Sequence, residues 1–304
     1  MCCDVVIPAI GGQSAPDTTG HRMTRAHKMF GLKNFTPGIL LSGLLVAGIG
    51  PMASDAVATQ KNSWSVVPFG PFHWQLQGDI ADDVTASKII GADLYEVTAA
   101  QIRDWREVGL FPICYINVGA LEDWRDDYSD FPKHVIGNAY WGWDGEYWLD
   151  IARFEHFADV MTARFDLCRD KGFLGVEPDN IDGYEADLSN KTTGFDLKRT
   201  DQLRYIRWLI DLAHQRGLAI GQKNAPELVG DLVDQMDFAI LESAFRLGFM
   251  DAFDPYIAHG KPVFAVEYRE EGANAARFCP VARNHGFQGV IASLELDQTP
   301  QNCP

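Results

Sequence analysis

Residues 173–184 read Phe-Leu-Gly-Val-Glu-Pro-Asp-Asn-Ile-Asp-Gly-Tyr, a short apolar run that ends in a crowd of acids. Glu177 and Asp179 are two positions apart, so on an extended chain their side chains project to one side. The same pattern, an apolar run closed by a carboxylate, returns in Ala-Ile-Leu-Glu (239–242) and Phe-Ala-Val-Glu-Tyr (264–268). Working outward from these, eight apolar runs read as strands: 73–77, 92–97, 112–118, 173–177, 218–222, 238–242, 262–267 and 287–292. Most are almost continuously apolar, as strands covered on both faces should be. Helical patterns separate them. The clearest spans 201–216, with Leu203, Ile206, Leu209, Ile210 and Ala213 on one stripe. Glycine closes several helices just ahead of the next strand, as at Gly172 and Gly286. Eight alternations in one stretch predict an α/β chain folded as a single (β/α)8 barrel, with an open doubly wound sheet as the alternative. Residues 119–154 break the rhythm and carry Trp124, Trp141, Trp143 and Trp148 among Gly, Asp and Tyr. They read as one long functional loop on the catalytic face.

The ends of the chain need separate treatment. Arg22, Arg25, Lys28 and Lys33 precede an uncharged run from Gly38 to Gly50, and Ala56-Val57-Ala58 follows. A basic region, a short apolar run and an A-x-A site describe a secretory signal peptide. The run is shorter than the ~20 residues a membrane-spanning helix needs. We therefore expect a signal peptide, with a possible misassigned start, over 1–58. The barrel domain then spans 59–304, close to the ~250 residues typical of the fold. The expected product is secreted, or periplasmic, with no stable membrane anchor after cleavage. Of the cysteines beyond residue 58, Cys114 and Cys168 read as small buried side chains. Cys279 and Cys303 could pair in an oxidising compartment and fasten the tail. The formal net charge of −16 repels nucleic acid and anionic membranes and attracts cations.

In a parallel barrel the active site forms where the strands end. Collecting those ends brings together Trp74 and Gln75, Tyr95, Tyr115 and Asn117, Glu177, Asp179, Asn180 and Asp182, Lys223 and Asn224, Glu242, and Glu267 with Tyr268. The result is an acid-rich mouth with aromatic walls, to which Trp124 adds a further flat face suited to sugar rings. Glycosidic-bond hydrolysis needs two carboxyl groups across the scissile bond, one protonated and one ionised. Asp179 and Glu242 are the expected catalytic pair, since acids on different strands can face each other across a sugar. Glu177 reads equally well as an inner residue that positions Lys223, and Asp182, followed by Gly183, as a turn residue. Asp150 and Tyr184 read as binding or scaffolding, and Trp105 and Trp208 as core. Beyond residue 58 no C-x-x-C and no His pair at zinc-site spacing occurs, and neither a metal nor a cofactor is expected.

These segments also carry a resemblance. Trp-Gln-Leu-Gln-Gly (74–78), Ile-Cys-Tyr-Ile-Asn-Val-Gly-Ala (113–120), Trp-Leu-Asp-Ile (148–151), Gly-Val-Glu-Pro-Asp-Asn-Ile-Asp-Gly-Tyr (175–184), Gly-Gln-Lys-Asn (221–224), Phe-Ala-Ile-Leu-Glu (238–242) and Val-Phe-Ala-Val-Glu-Tyr (263–268) occur in that order. The set resembles glycoside hydrolase family 114, the endo-α-1,4-polygalactosaminidases, over residues 64–294. The resemblance implies a (β/α)8 barrel that cleaves internal α-1,4 bonds in galactosamine-containing polysaccharide without a metal, with Asp179 and Glu242 as the catalytic carboxylates. A partly deacetylated, cationic galactosamine polymer is then the expected partner. One departure is Gln222, where an apolar residue is expected. The competing expectations are a non-catalytic polysaccharide-binding barrel and a metal-dependent polysaccharide deacetylase.

Overall fold

The computed structural model of the protein describes residues 64–80, 84–190 and 192–304. The expected signal peptide, and the boundary between 1–58 and 59–304, lie outside them. The strands in chain order are β1 (Phe72–Trp74), β2 (Ile89–Asp93), β3 (Phe111–Asn117), β4 (Ala120–Glu122), β5 (Ile136–Ala139), β6 (Glu146–Leu149), β7 (Gly175–Asp179), β8 (Ala219–Lys223), β9 (Phe238–Glu242), β10 (Val263–Tyr268), β11 (Gln288–Ala292) and β12 (Gln301–Asn302). The main sheet runs β1-β2-β3-β7-β8-β9-β10-β11-β12, parallel throughout except for β12. Its eight parallel strands therefore follow chain order, each connected to its neighbour by a crossover.

The sheet curls into a nearly closed, barrel-like form. At the seam, Asn302 of β12 pairs with Val290 of β11 and reaches β1 with its side chain. Its Oδ1 accepts from the Phe72 N–H at 2.9 Å, and its Nδ2 donates to the Phe72 carbonyl at 3.1 Å. One side-chain amide thus stands in for a peptide group across the gap. The Cys279–Cys303 disulfide ties β12 to the helix Ala275–His285, so the tail that closes the seam is covalently anchored.

Alternate strand residues face opposite ways. Phe72, Trp74, Ile113, Phe238, Ile240, Phe264 and Val266 form one buried cluster. Ala92, Cys114, Ile116, Leu241 and Ala265 belong to a second, together with residues of the surrounding helices. The helix Arg199–His214 contributes Leu203, Ile206, Leu209, Ile210 and Ala213 to that second layer, the stripe its sequence predicts. The helix Ala158–Lys171 ends at Gly172 with φ 99°, a left-handed conformation in which a side chain would be strained.

Three expectations need correction. Cys114 and Cys168 are joined, with Cα atoms 6.1 Å apart. Both face the interface between β3 and the helix Ala158–Lys171, where two apolar-looking positions turn out to oppose each other. The second strand is Ile89–Asp93 and not 92–97. Gly91 lies within the strand, at a position where a Cβ would lie 2.6 Å from the Trp74 ring. Residues 119–154 are not a loop. They hold a three-stranded antiparallel sheet, β4-β6-β5, interspersed with 3-10 turns. Strands of three or four residues are too short to display an alternating pattern.

Candidate active site

The parallel strands end on chemically useful residues: Trp74 closes β1, Asp93 β2, Asn117 β3, Asp179 β7, Lys223 β8, Glu242 β9 and Tyr268 β10. Three of these are followed directly by a non-glycine residue at positive φ, namely Asn180 (58°), Asn224 (45°) and Ser243 (52°). Such backbone costs of order 1 kcal/mol or more and persists where surrounding contacts enforce it. Here it bends the chain sharply away as soon as the functional side chain has been delivered. Gln222, the departure noted above, supports one of these bends. It is fully buried, donates to the carbonyls of Asn224 and Ala225 at 3.0 and 2.8 Å, and accepts from Tyr256.

Lys223 is the centre of the site. Its ammonium, 3% exposed, lies 2.9 Å from Glu177 Oε1, 3.1 Å from Asp179 Oδ1 and 3.0 Å from Glu242 Oε2. It also sits 4.9 Å above the centre of the Trp74 ring, a cation–π contact. Burial alone would push its pKa down, but Asp179, Glu177 and Glu242 outweigh that and hold it well above the ordinary value. Asp179 accepts in addition from the Tyr115 hydroxyl at 2.8 Å. Glu242 accepts from the Tyr268 hydroxyl and from Asn224 Nδ2 at 3.2 Å, while Asn224 Oδ1 takes up the Glu242 backbone N–H at 2.8 Å. Asp179 and Glu242 thus share one cation, are each oriented by a phenol, and line the same cavity of about 400 Å3.

Of the other expected residues, Trp74, Tyr115, Trp124, Asn180, Asp182, Lys223, Asn224 and Tyr268 also line this cavity. Five lie behind or beside its wall. Glu177 is 1% exposed and holds Lys223 and the Trp74 indole N–H. Gln75 is buried and ties the carbonyls of Gln77, Asp79 and Asp297 together. Asn117 is buried and braces Ala120, Asn180 and Glu146. Glu267 is buried and accepts the Phe245 N–H just after β9. Tyr95 lies past the true end of β2, where it donates to Asp127 and stacks under Arg125. Asp150 is engaged by Arg153, and Tyr184 by Glu227. Trp148 is buried in the fold, and Trp141 is 81% exposed outside the cavity lining.

The cavity also uses residues the sequence reading missed. Asp93, Glu122 and Arg125 form a buried ion-pair cluster along one side. Glu146 of β6 lines it too, with Tyr140 and Trp143 from the turn between β5 and β6. Asp93 has a legible signal, since Ile-Ile-Gly-Ala-Asp repeats the pattern of an apolar run closed by an acid. Glu122, Arg125, Tyr140 and Glu146 have none, because their place depends on how the small sheet folds back.

With this geometry in hand, comparison with known proteins is decisive. The model of glycoside-hydrolase family GH114 matches residues 53–304. The chain belongs to this family. Among solved structures, Ega3 of Aspergillus fumigatus, crystallised in complex with galactosamine, is similar with a TM-score of 0.70 and 28% identity, covering 79% of this chain and 97% of Ega3. The glycoside hydrolase domain of PelA from Pseudomonas aeruginosa has a TM-score of 0.62 over 76% of this chain and 97% of its own, and its 16% identity speaks for the fold alone. An uncharacterised protein of Deinococcus radiodurans is 25% identical over 232 residues, 68% of this chain and 71% of its own. One of Thermotoga maritima is 21% identical over 155 residues, and this match spans 47% of that relative's length. The GH114 protein is a glycoside hydrolase.

The hydrolase's acid-rich cavity has a consequence for stability. Burial and the nearby Asp179 push Glu146 up to about 8 and Asp182 up to about 6. Burial pushes Glu177 up to about 7 in spite of Lys223. Each of these acids keeps its proton in the folded state at a pH where the unfolded chain has lost it. The stability they confer is therefore fully present below the unfolded values near 4 and is lost as pH rises through 6, 7 and 8. Glu185, raised to about 7 by burial and Glu227, adds to these acids, while buried His73, whose pKa is lowered, works in the opposite sense. Thermal unfolding at constant ionic strength should give a higher Tm at pH 5 than at pH 8, the reverse of ordinary acid denaturation.

Proposed function

We propose that this GH114 protein is a secreted, endo-acting glycosidase. On a single (β/α)8 barrel it cleaves α-1,4 bonds inside galactosamine-containing polysaccharide, with Asp179 and Glu242 as its two catalytic carboxylates. The observation that carries this reading is the shared ammonium. Lys223 contacts both carboxylates at about hydrogen-bond distance, so two acids from strands far apart in the sequence meet at one end of the sheet. The galactosamine in the Ega3 complex and the acidic lining both support an amino-sugar substrate that is cationic at neutral pH. Two disulfides, Cys114–Cys168 and Cys279–Cys303, support an oxidising compartment and hence export.

The same geometry supports retention of anomeric configuration. Retaining glycosidases hold their carboxyl groups about 5–5.5 Å apart, and inverting ones about 6.5–9.5 Å apart to admit a water. Oxygens that share one ammonium lie no farther apart than the sum of two hydrogen-bond contacts, which favours the closer, retaining arrangement. In the first step one carboxylate attacks the anomeric carbon as the other gives its proton to the departing glycosidic oxygen. In the second, water, deprotonated by that same group, releases the sugar from the ester. The test is a product assay on purified protein with galactosamine, glucosamine and galactose polymers, followed by NMR of the first-formed reducing end. Oligomers with α reducing ends from the galactosamine polymer are expected. Initial β ends would refute retention, and binding without new reducing ends would leave a carbohydrate-binding barrel.

A further inference from the structure

The turn between β5 and β6 holds aromatic surface out to solvent. Trp141 is 81% exposed, and its indole makes no hydrogen bond and pairs with no other ring among the described residues. Trp143, two positions on, and Trp124 are exposed as well. Trp124 lies against the same turn, since a Cβ at Gly145 would come within 3.0 Å of its ring. Single exposed apolar side chains are ordinary, but three indoles around one polar turn mark a binding surface. The turn that carries them is fixed. The Tyr140 N–H donates to the Glu146 carbonyl at 2.8 Å, and the Glu146 N–H to the Trp143 carbonyl at 3.3 Å. Gly145 takes φ 90°, where a side chain would be strained, and a Cβ at Gly142 would lie 2.9 Å from the Tyr140 ring. Tyr140, Trp143 and Trp124 line the cavity, while Trp141, between the first two in the chain, does not. The aromatic surface thus leaves the cavity wall and continues outside it through one residue of the same turn.

A polymer cleaved internally keeps sugar units on both sides of the bond, so its chain must run out of the cavity. We propose that Trp141 is a platform outside the cavity on which a sugar unit of the same polymer, remote from the bond being cleaved, stacks by its flat C–H face. The platform rests on the endo-acting reading above and governs the length of chain the enzyme grips, not which sugar it accepts. An indole offers such a ring an apolar face and, at its edge, an N–H for a hydroxyl. The occupant is a polysaccharide chain because the surface continues the wall of the cavity that holds the reacting units. A lipid surface fits poorly, since exposed Asp123 and Asp144 flank the turn and anionic membranes repel them. Contact made this far from the reacting bond is equal in the ground and transition states, so it tightens binding of long chains without changing the chemical step.

The experiment compares wild type, Trp141→Ala and Trp141→Phe on galactosamine oligomers of increasing length and on the polymer. For wild type kcat/KM should rise once the chain is long enough to leave the cavity. In Trp141→Ala that rise should be missing, leaving the polymer about 10-fold worse a substrate. The loss should sit in KM, while the shortest cleaved oligomers are hydrolysed as by wild type. Trp141→Phe keeps a flat ring and should recover most of the difference. Tm should not move in either variant, because the side chain is exposed. A second measurement needs no turnover: Asp179→Asn protein should be retained on insoluble galactosamine polymer, and retained less when Trp141→Ala is added. A polymer-to-oligomer ratio, or a retention, that is the same with and without the indole overturns the platform and leaves the hydrolase reading intact. Wild type that cleaves no galactosamine chain, short or long, defeats the parent reading instead, and retention on galactosamine, glucosamine and galactose polymers then decides the platform alone. Light scattering tests the other occupant. A wild-type dimer that Trp141→Ala dissolves would make the turn a contact between two copies of this chain and overturn the platform as well.

Discussion

Asp179→Asn and Glu242→Gln should each lose cleavage of galactosamine polymer by about 10²–10⁴-fold or more, the contribution of a positioned proton-transfer or nucleophilic group, while folding should be hardly disturbed. The loss should appear in kcat, because a carboxylate that attacks or protonates acts on the transition state more than on the bound substrate. Folding survives because each substitution removes one of three acids around Lys223 and leaves two. Both side chains are also partly open to water, at 20% and 26% exposure. The amides preserve the contacts from Tyr115 and Tyr268. Kinetics on soluble oligomers, with thermal unfolding as the control, make the measurement. Full activity in either variant removes that residue from the mechanism. Roles within the pair follow from rescue. Added azide should restore turnover only to the alanine variant of the nucleophile, because a small anion can then attack from the vacated side.

How much of this was legible in the sequence depends on whether a residue's place is set locally or by distant chain. Asp179, Lys223 and Glu242 each end an apolar run, and in a parallel sheet the end of a strand is a position in space as well as in sequence. Glu177 is legible too, because two residues' spacing along β7 puts it and Asp179 on the same ammonium. Asp93 is legible in the same way, as the acid that closes Ile-Ile-Gly-Ala-Asp, with Gly91 making room for the Trp74 ring. Glu122, Arg125, Tyr140 and Glu146 depend on the fold-back of β4–β6 over the mouth, which no local period encodes. The disulfide between Cys114 and Cys168 is hidden in the same way. Each cysteine looks like core until the helix Ala158–Lys171 is laid on β3.

Lys223→Met should have the largest effect on the fold of any single change in the site. The substitution keeps the length of the side chain and removes the charge that compensates Glu177, Asp179 and Glu242. Glu177 is 1% exposed, and without the ammonium its remaining side-chain donor among the described residues is the Trp74 indole at 2.8 Å. Removing one partner of a buried ion pair costs about 3–5 kcal/mol, roughly a 10 °C fall in Tm for a domain of this size. Glu177, already raised to about 7, would rise further and remain protonated across neutral pH. The stability lost should therefore be smaller at pH 5, where the acid is neutral anyway, than at pH 8. Activity should fall with stability, because Asp179 and Glu242 lose the cation that holds them together. The double variant Lys223→Met with Glu177→Gln separates the two effects. A neutral amide can still accept from Trp74, so Tm should recover much of the loss while cleavage stays abolished. A single variant that unfolds like wild type, or a double variant that recovers activity, would show that the ammonium has no such central role.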